Sequence, residues 1–146
     1  MGLTVARLLA AAFFLAWIVS SIHEALPPSK LVKWRAIEGS AAAAAVEHKP
    51  ILYDFSADWC GPCKKMEKHV FADREAASLI NGSFVPVRVA DEDTSPAAAA
   101  LREAHGVDSL PTLLVVREAK GQPRRLEGFH DAHATVAFLK RALAQQ

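Results

Sequence analysis

Cysteine is nearly missing from this chain of 146 residues: it has two, and both fall in the stretch DFSADWCGPCKK, residues 54 to 65. That scarcity excludes a stapled secreted scaffold, which spreads several cysteines along its length. A bridge closing so short a loop would also restrain the unfolded chain very little, since disulfide stabilisation grows with loop size. A surplus of either charge is missing too. With 17 basic and 16 acidic residues and a net charge of +1, no global field points to nucleic acid. No second Cys-x-x-Cys and no tight Cys–His spacing is present. His69 lies six residues past Cys63, and His48, His105, His130 and His133 are scattered. Two thiolates with one or two imidazoles could hold zinc or copper, but no ligand spacing supports it and no cofactor is implied. The hydrophobic content of 51% owes much to alanine.

What the chain does have, at its front, is one long apolar run. Leu3 to Ile22 carries a single charge, Arg7, near its start. As a helix it would span roughly 30 Å, the thickness of a bilayer's hydrocarbon core. Arg7 is close enough to the end to snorkel. A membrane anchor is therefore expected within residues 1–24, with the domain on the extracytoplasmic side of the inner membrane. The alternative is a cleaved signal peptide with a small-residue site near Val19-Ser20-Ser21, which would leave a secreted protein. Lys30, Lys33 and Arg35 just beyond the run oppose the chosen orientation under the positive-inside rule. Residues 25–30, with Pro27-Pro28, read as a stiff linker, and the soluble domain is expected over 31–146.

Within that domain, strands and helices alternate. LVKWRAI, residues 31 to 37, alternates enough to be a strand, and Gly39-Ser40 starts a capped helix over about 41–48. ILYDFS, residues 51 to 56, is the near-continuous apolar run of a strand covered on both faces. A helix runs from Gly61 past Met66 and Val70, breaks at Ala72-Asp73, resumes with Asp73 as cap and ends at Asn81-Gly82. FVPVRVA (84–90) and LPTLLVVRE read as strands on either side of an Ala-rich helix near 96–105. Gly121 turns the chain into PRRLEGF, and Asp131 caps a last helix over 132–144, which Val136, Ala137, Phe138 and Leu139 pack. The pattern predicts an α/β fold, a central mixed sheet flanked by helices.

This order gives the cysteine spacing a place to act. The strand 51–56 delivers the chain to Trp59-Cys60, and the helix begins at once. Cys60 then sits where unpaired N–H groups and the helix dipole favour a negative sulfur. Gly61 permits the tight turn, and Pro62 fits the first helical turn, where its missing N–H is no loss. Lys64 and Lys65 add positive charge. A thiol near pKa 8.5 is about 3% ionised at pH 7, whereas one near 7 is about half ionised. Cys63, one turn inside, is expected to be the less exposed sulfur and placed to attack Cys60. Asp54 stands in an otherwise apolar strand, so burial should raise its pKa.

ILYDFSADWCGPCKKM resembles the active-site strand and helix of thioredoxin, and HGVDSLPTLLVV resembles its second active-site segment. KHVFADREA and EGFHDAHATVAFL extend the likeness to the C-terminal domain of the DsbD family of bacterial membrane electron carriers, over roughly residues 31–146. The resemblance implies a thioredoxin fold and a redox-active disulfide Cys60–Cys63, with Cys60 as nucleophile and Cys63 as resolving thiol. It implies Asp54 as proton acceptor and donor for Cys63, and a cis bond before Pro111. It also implies a substrate groove formed by Trp59, Gly61, Pro62, Leu110, Pro111 and Gly128, although Gly128 also reads as a plain turn glycine. Two departures stand out. The Gly-Pro between the cysteines is thioredoxin's and not the form usual in the DsbD domain, and Ser56 replaces a large aromatic.

The expected activity is that of a membrane-anchored thiol:disulfide reductase, a monomer acting on disulfide-bearing proteins and recharged by an upstream electron donor. An oxidase or isomerase of the same fold, and a Cys-x-x-Cys metal chaperone, are the alternatives.

Overall fold

In the computed structural model, residues 31–117 and 122–144 are described. The expected anchor at 3–22, the linker at 25–30 and the turn at Gly121 lie outside them. Among the described residues, no helix is long and apolar enough to cross a membrane.

The centre of the sheet is β1, Ile51–Ser56, in which Ile51 to Phe55 are all buried. It pairs in parallel with β2, Val85–Ala90, and antiparallel with β3, Thr112–Val116. β3 pairs antiparallel with β4, Arg124–Glu127, giving the mixed order β2-β1-β3-β4. Side chains of a strand alternate between faces, and β1 splits accordingly. Ile51, Tyr53 and Phe55 pack with Val85, Val87 and Leu114 on one side. That side is covered by α1, Ser40–Glu47, and α4, Pro96–His105. Leu52 faces the other, packing with Met66, Phe71, Ile80, Leu113 and Leu139. That second layer comes from α2, Gly61–Met66, α3, Arg74–Ser83, and α5, Ala132–Ala144. Burying each such side chain contributes about 1.5–3 kcal/mol, so both layers are needed to hold β1 in place.

Local signals set several boundaries. Asp73 accepts a hydrogen bond from Ala76 N, Ser95 from Ala98 N and Asp131 from Ala134 N, each at a helix start. Between α2 and α3 the helix widens into a π-helical turn, Glu67–Phe71, before the break at Ala72.

Three local readings are corrected. Residues 31–37 do not form a strand but make one isolated bridge, Arg35 to Val87, with Arg35 N donating to Pro86 O at 2.9 Å. Pro86 presents that carbonyl outward but has no N–H to offer beside it, so the ladder cannot continue. Ser40 does not cap α1; Gly39, at φ 76°, holds the N-cap position, and the Ser40 hydroxyl donates to Ile37 O. α3 does not stop at Asn81-Gly82 but runs to Ser83. The Asn81 amide is instead used across the fold, donating to Leu31 O at 2.8 Å and accepting from Lys33 N at 2.9 Å.

Candidate active site

Cys60 occupies the N-cap of α2 in an extended conformation, and Pro62 lies in the first turn. Cys60 and Cys63 are joined in a disulfide with Cα atoms 5.2 Å apart. The Cys63 backbone N–H points at the Cys60 sulfur, 3.2 Å away. An N–H so placed favours negative charge on that sulfur once the bond opens.

The two sulfurs look into different spaces. Cys60 lines a groove of about 410 Å³ together with Trp59, Gly61, Pro62, Ser109 and Leu110. Trp59 is 71% exposed. The Leu110–Pro111 peptide bond is cis, and Leu110 packs against the cysteine pair. Gly128, at φ 78°, donates its N–H to Pro111 O at 2.8 Å. Gly128 is thus tied to the proline segment, and neither it nor Pro111 is among the residues lining the 410 Å³ groove. The left-handed φ makes glycine the natural occupant there.

Cys63 opens instead to a pocket of about 250 Å³ lined by Asp54, Glu67, Lys64 and Arg88 among others. Asp58 and Glu92 are at its rim, joined by a hydrogen bond from Asp58 N to Glu92 Oε1. The expected difference in enclosure is not seen: both cysteines are buried, at 4% exposure for Cys60 and 7% for Cys63. Reading along the helix could not reveal the second opening, because its far wall is β2.

Asp54 is fully buried on the Cys63 side of β1. Its Oδ2 accepts from Arg88 Nε at 3.0 Å and, weakly, from the Ser56 hydroxyl at 3.3 Å, while Oδ1 is buried with no partner. Burial pushes the Asp54 carboxyl up to about 6, against the pull of Arg88. Ser56, small where thioredoxin has an aromatic, is thus a donor beside the carboxylate. Arg88 also reaches Glu67 Oε2 at 2.7 Å and lies over the Trp34 ring, 4.4 Å from its centroid. Sequence reasoning passed over Arg88, Glu67 and Trp34. The one available signal was a lone charge in each of two apolar strands, Asp54 and Arg88, which the β1–β2 register sets side by side.

The cap, the paired cysteines, the cis proline and the buried Asp on a β2-β1-β3-β4 sheet decide the family. This chain belongs to the thioredoxin-like family. The thioredoxin-like domain matches residues 37–143. Thiol:disulfide interchange protein DsbD of Klebsiella pneumoniae is 36% identical over 102 residues, covering 68% of this chain and 17% of that protein. The chain thus spans about a sixth of the length of that curated relative. The DsbD C-terminal domain of Neisseria meningitidis, in its reduced form, superposes with a TM-score of 0.54 at 26% identity. The overlap takes in 73% of this chain and 98% of that domain. A thioredoxin from Thermus thermophilus gives a TM-score of 0.67 at 20% identity, over 78% and 88% of the two chains, and shows the shared fold. With its Cys60–Cys63 pair, the thioredoxin-like chain is a thiol:disulfide oxidoreductase related to DsbD.

Among the described residues no three His, Cys, Asp or Glu side chains gather as a metal-binding group. His130 Nε2 donates to Glu127 O at 3.1 Å, and His105 packs by Tyr53.

Proposed function

We propose that this thioredoxin-like chain reduces disulfides of extracytoplasmic proteins while tethered to the inner membrane by residues 3–22. The observation that carries the reading is the division of the two sulfurs between two spaces. Cys60 meets the groove that a polypeptide can enter, and Cys63 meets the pocket that holds a buried base. In the reduced protein the Cys60 thiolate attacks one sulfur of a substrate disulfide. That S–S bond breaks, its second sulfur leaves as a thiolate and takes up a proton, and a mixed disulfide forms. Cys63 then gives its proton to Asp54, for which the pocket has room for a bridging water. The Cys63 thiolate attacks the Cys60 sulfur, and the bond from Cys60 to the substrate breaks. The substrate sulfur leaves as a thiolate and takes up the proton held by Asp54, and the Cys60–Cys63 disulfide is left beside a substrate dithiol. Two electrons have passed to the substrate, and an upstream donor must restore them.

The Gly-Pro of the loop supports a reducing role, whereas the charge-favouring N–H at Cys60 supports attack by its thiolate without setting the direction. Equilibration with glutathione measures it. A reductant falls near −270 mV, as thioredoxin does, whereas the competing oxidase reading requires a value toward about −120 mV. The decisive experiment is Cys63→Ser in membranes. Substrate proteins should accumulate in thiol-sensitive adducts through Cys60, and their absence would remove disulfide exchange as the function.

A further inference from the structure

Trp34 lies outside the sheet, in the segment before α1, yet it reaches the centre of the chemistry. Its two neighbours clamp the segment onto the domain. Lys33 N donates to Asn81 Oδ1 at 2.9 Å, and Arg35 N donates to Pro86 O at 2.9 Å. Between these anchors the indole meets the Phe71 ring edge-on, with centroids 4.9 Å apart and planes at 84°. On it lies the Arg88 guanidinium, 4.4 Å from the ring centroid and 5.5 Å from that of Phe71.

Two details argue against plain packing. The indole Nε1 is buried with no hydrogen-bond partner among the described residues. Such a group costs about 1–3 kcal/mol, which a phenylalanine would avoid. Tryptophan is also the aromatic that attracts a cation most strongly. The site thus keeps the better cation platform at the expense of an orphaned donor.

The geometry points to Trp34 as a positioning residue for the resolving step: its indole holds the Arg88 guanidinium against Asp54 in the pocket that Cys63 lines. The inference rests on Asp54 as the proton acceptor proposed above. Asp54 is faced by Ser56 from its own strand, Arg88 from β2 and Glu67 from the π-helical turn. Asp58, Lys64 and Glu92 complete the charged groups of the pocket. Arg88 is shared between two carboxylates, so its position determines how strongly it favours the ionised form of the buried one. Loosening the guanidinium should therefore raise the pH at which Asp54 gives up its proton.

The test is a carboxyl-carbon NMR titration of the oxidised full chain in detergent, with Asp54→Asn assigning the signal. W34L should raise the Asp54 midpoint by about half a unit to one unit. The low-pH limb of mixed-disulfide resolution should shift upward with it, while the pH profile of Cys60 alkylation in the reduced protein stays in place. W34F, which keeps a weaker platform, should fall between wild type and W34L, and it carries the test if W34L does not fold. Equal midpoints in wild type and the folded variants would overturn the inference. A merely structural Trp34 would change thermal stability without ordering the midpoints. If the midpoints shift in order but Asp54→Asn leaves resolution unchanged, the positioning contact stands and the role of Asp54 as base falls.

Discussion

The two sides of one disulfide are built from different chemistry. On the Cys60 side stand an exposed indole, a glycine, a proline and the backbone before a cis bond, with the charged Asp91, Arg102 and Asp108 farther along the groove. On the Cys63 side stand a fully buried carboxyl, a second carboxyl and an arginine between them. The cysteines themselves are only a helical turn apart, bonded to each other and similarly covered. The contrast shows how a symmetric bond is given an order of events. In the proposed mechanism a guest meets the first sulfur through its groove, and a proton leaves the second toward the buried carboxyl.

Removing the base breaks that contrast most severely. Asp54→Asn should slow resolution of the mixed disulfide about 100-fold, as expected for loss of a positioned general base. Its formation should change little. Rapid quenching and separation of the mixed disulfide reads both rates, and equal losses would show that the two sides are not independent. In the intact protein the resolution rate should fall as the pH drops through about 6, where Asp54 takes up its proton.

The same substitution sharpens the comparison through stability. Asp54 has a folded value of about 6, above its ordinary 3.8. Below about pH 4 the carboxyl is protonated in both folded and unfolded states and costs nothing. Between about 4 and 6 the unfolded chain gives up a proton that the fold retains, so stability declines as pH rises. Above about 6 the full burden remains. Asp54→Asn should therefore stabilise the oxidised protein by about 2 kcal/mol at pH 7, after allowance for the partner lost to Arg88, with the gain gone by about pH 4. Denaturant unfolding at both pH values measures it.

The groove side should respond more mildly. Trp59→Ala should slow attack on a protein disulfide about five-fold, by removing apolar contact with the substrate. Resolution should be unaltered, and stability should change by less than about 0.5 kcal/mol because the side chain is largely exposed.

Much of this was legible in the residue order, and the reason is range. Caps at Asp73 and Asp131, the helix opening at Cys60 and the apolar run of β1 are set by neighbours a few positions away. The failures have longer reach. Residues 31–37 alternate like a strand, but whether they pair depends on Pro86, some fifty positions on. Asn81-Gly82 has the composition of a helix stop, but the Asn81 amide serves the backbone at Leu31 and Lys33.

The sequence by itself determined the reactive pair, the helix terminus that holds it and the alternation that yields the sheet, because these depend on local spacing and side-chain type. Only the tertiary structure decided which charges share the space beside Cys63. Asp54 and Arg88 meet through strand register, Glu67 arrives on a widened helical turn, and Trp34 comes from the far side of α1. Charges interact over ångströms of space, not along the chain, so their partners exist only once the layers have packed.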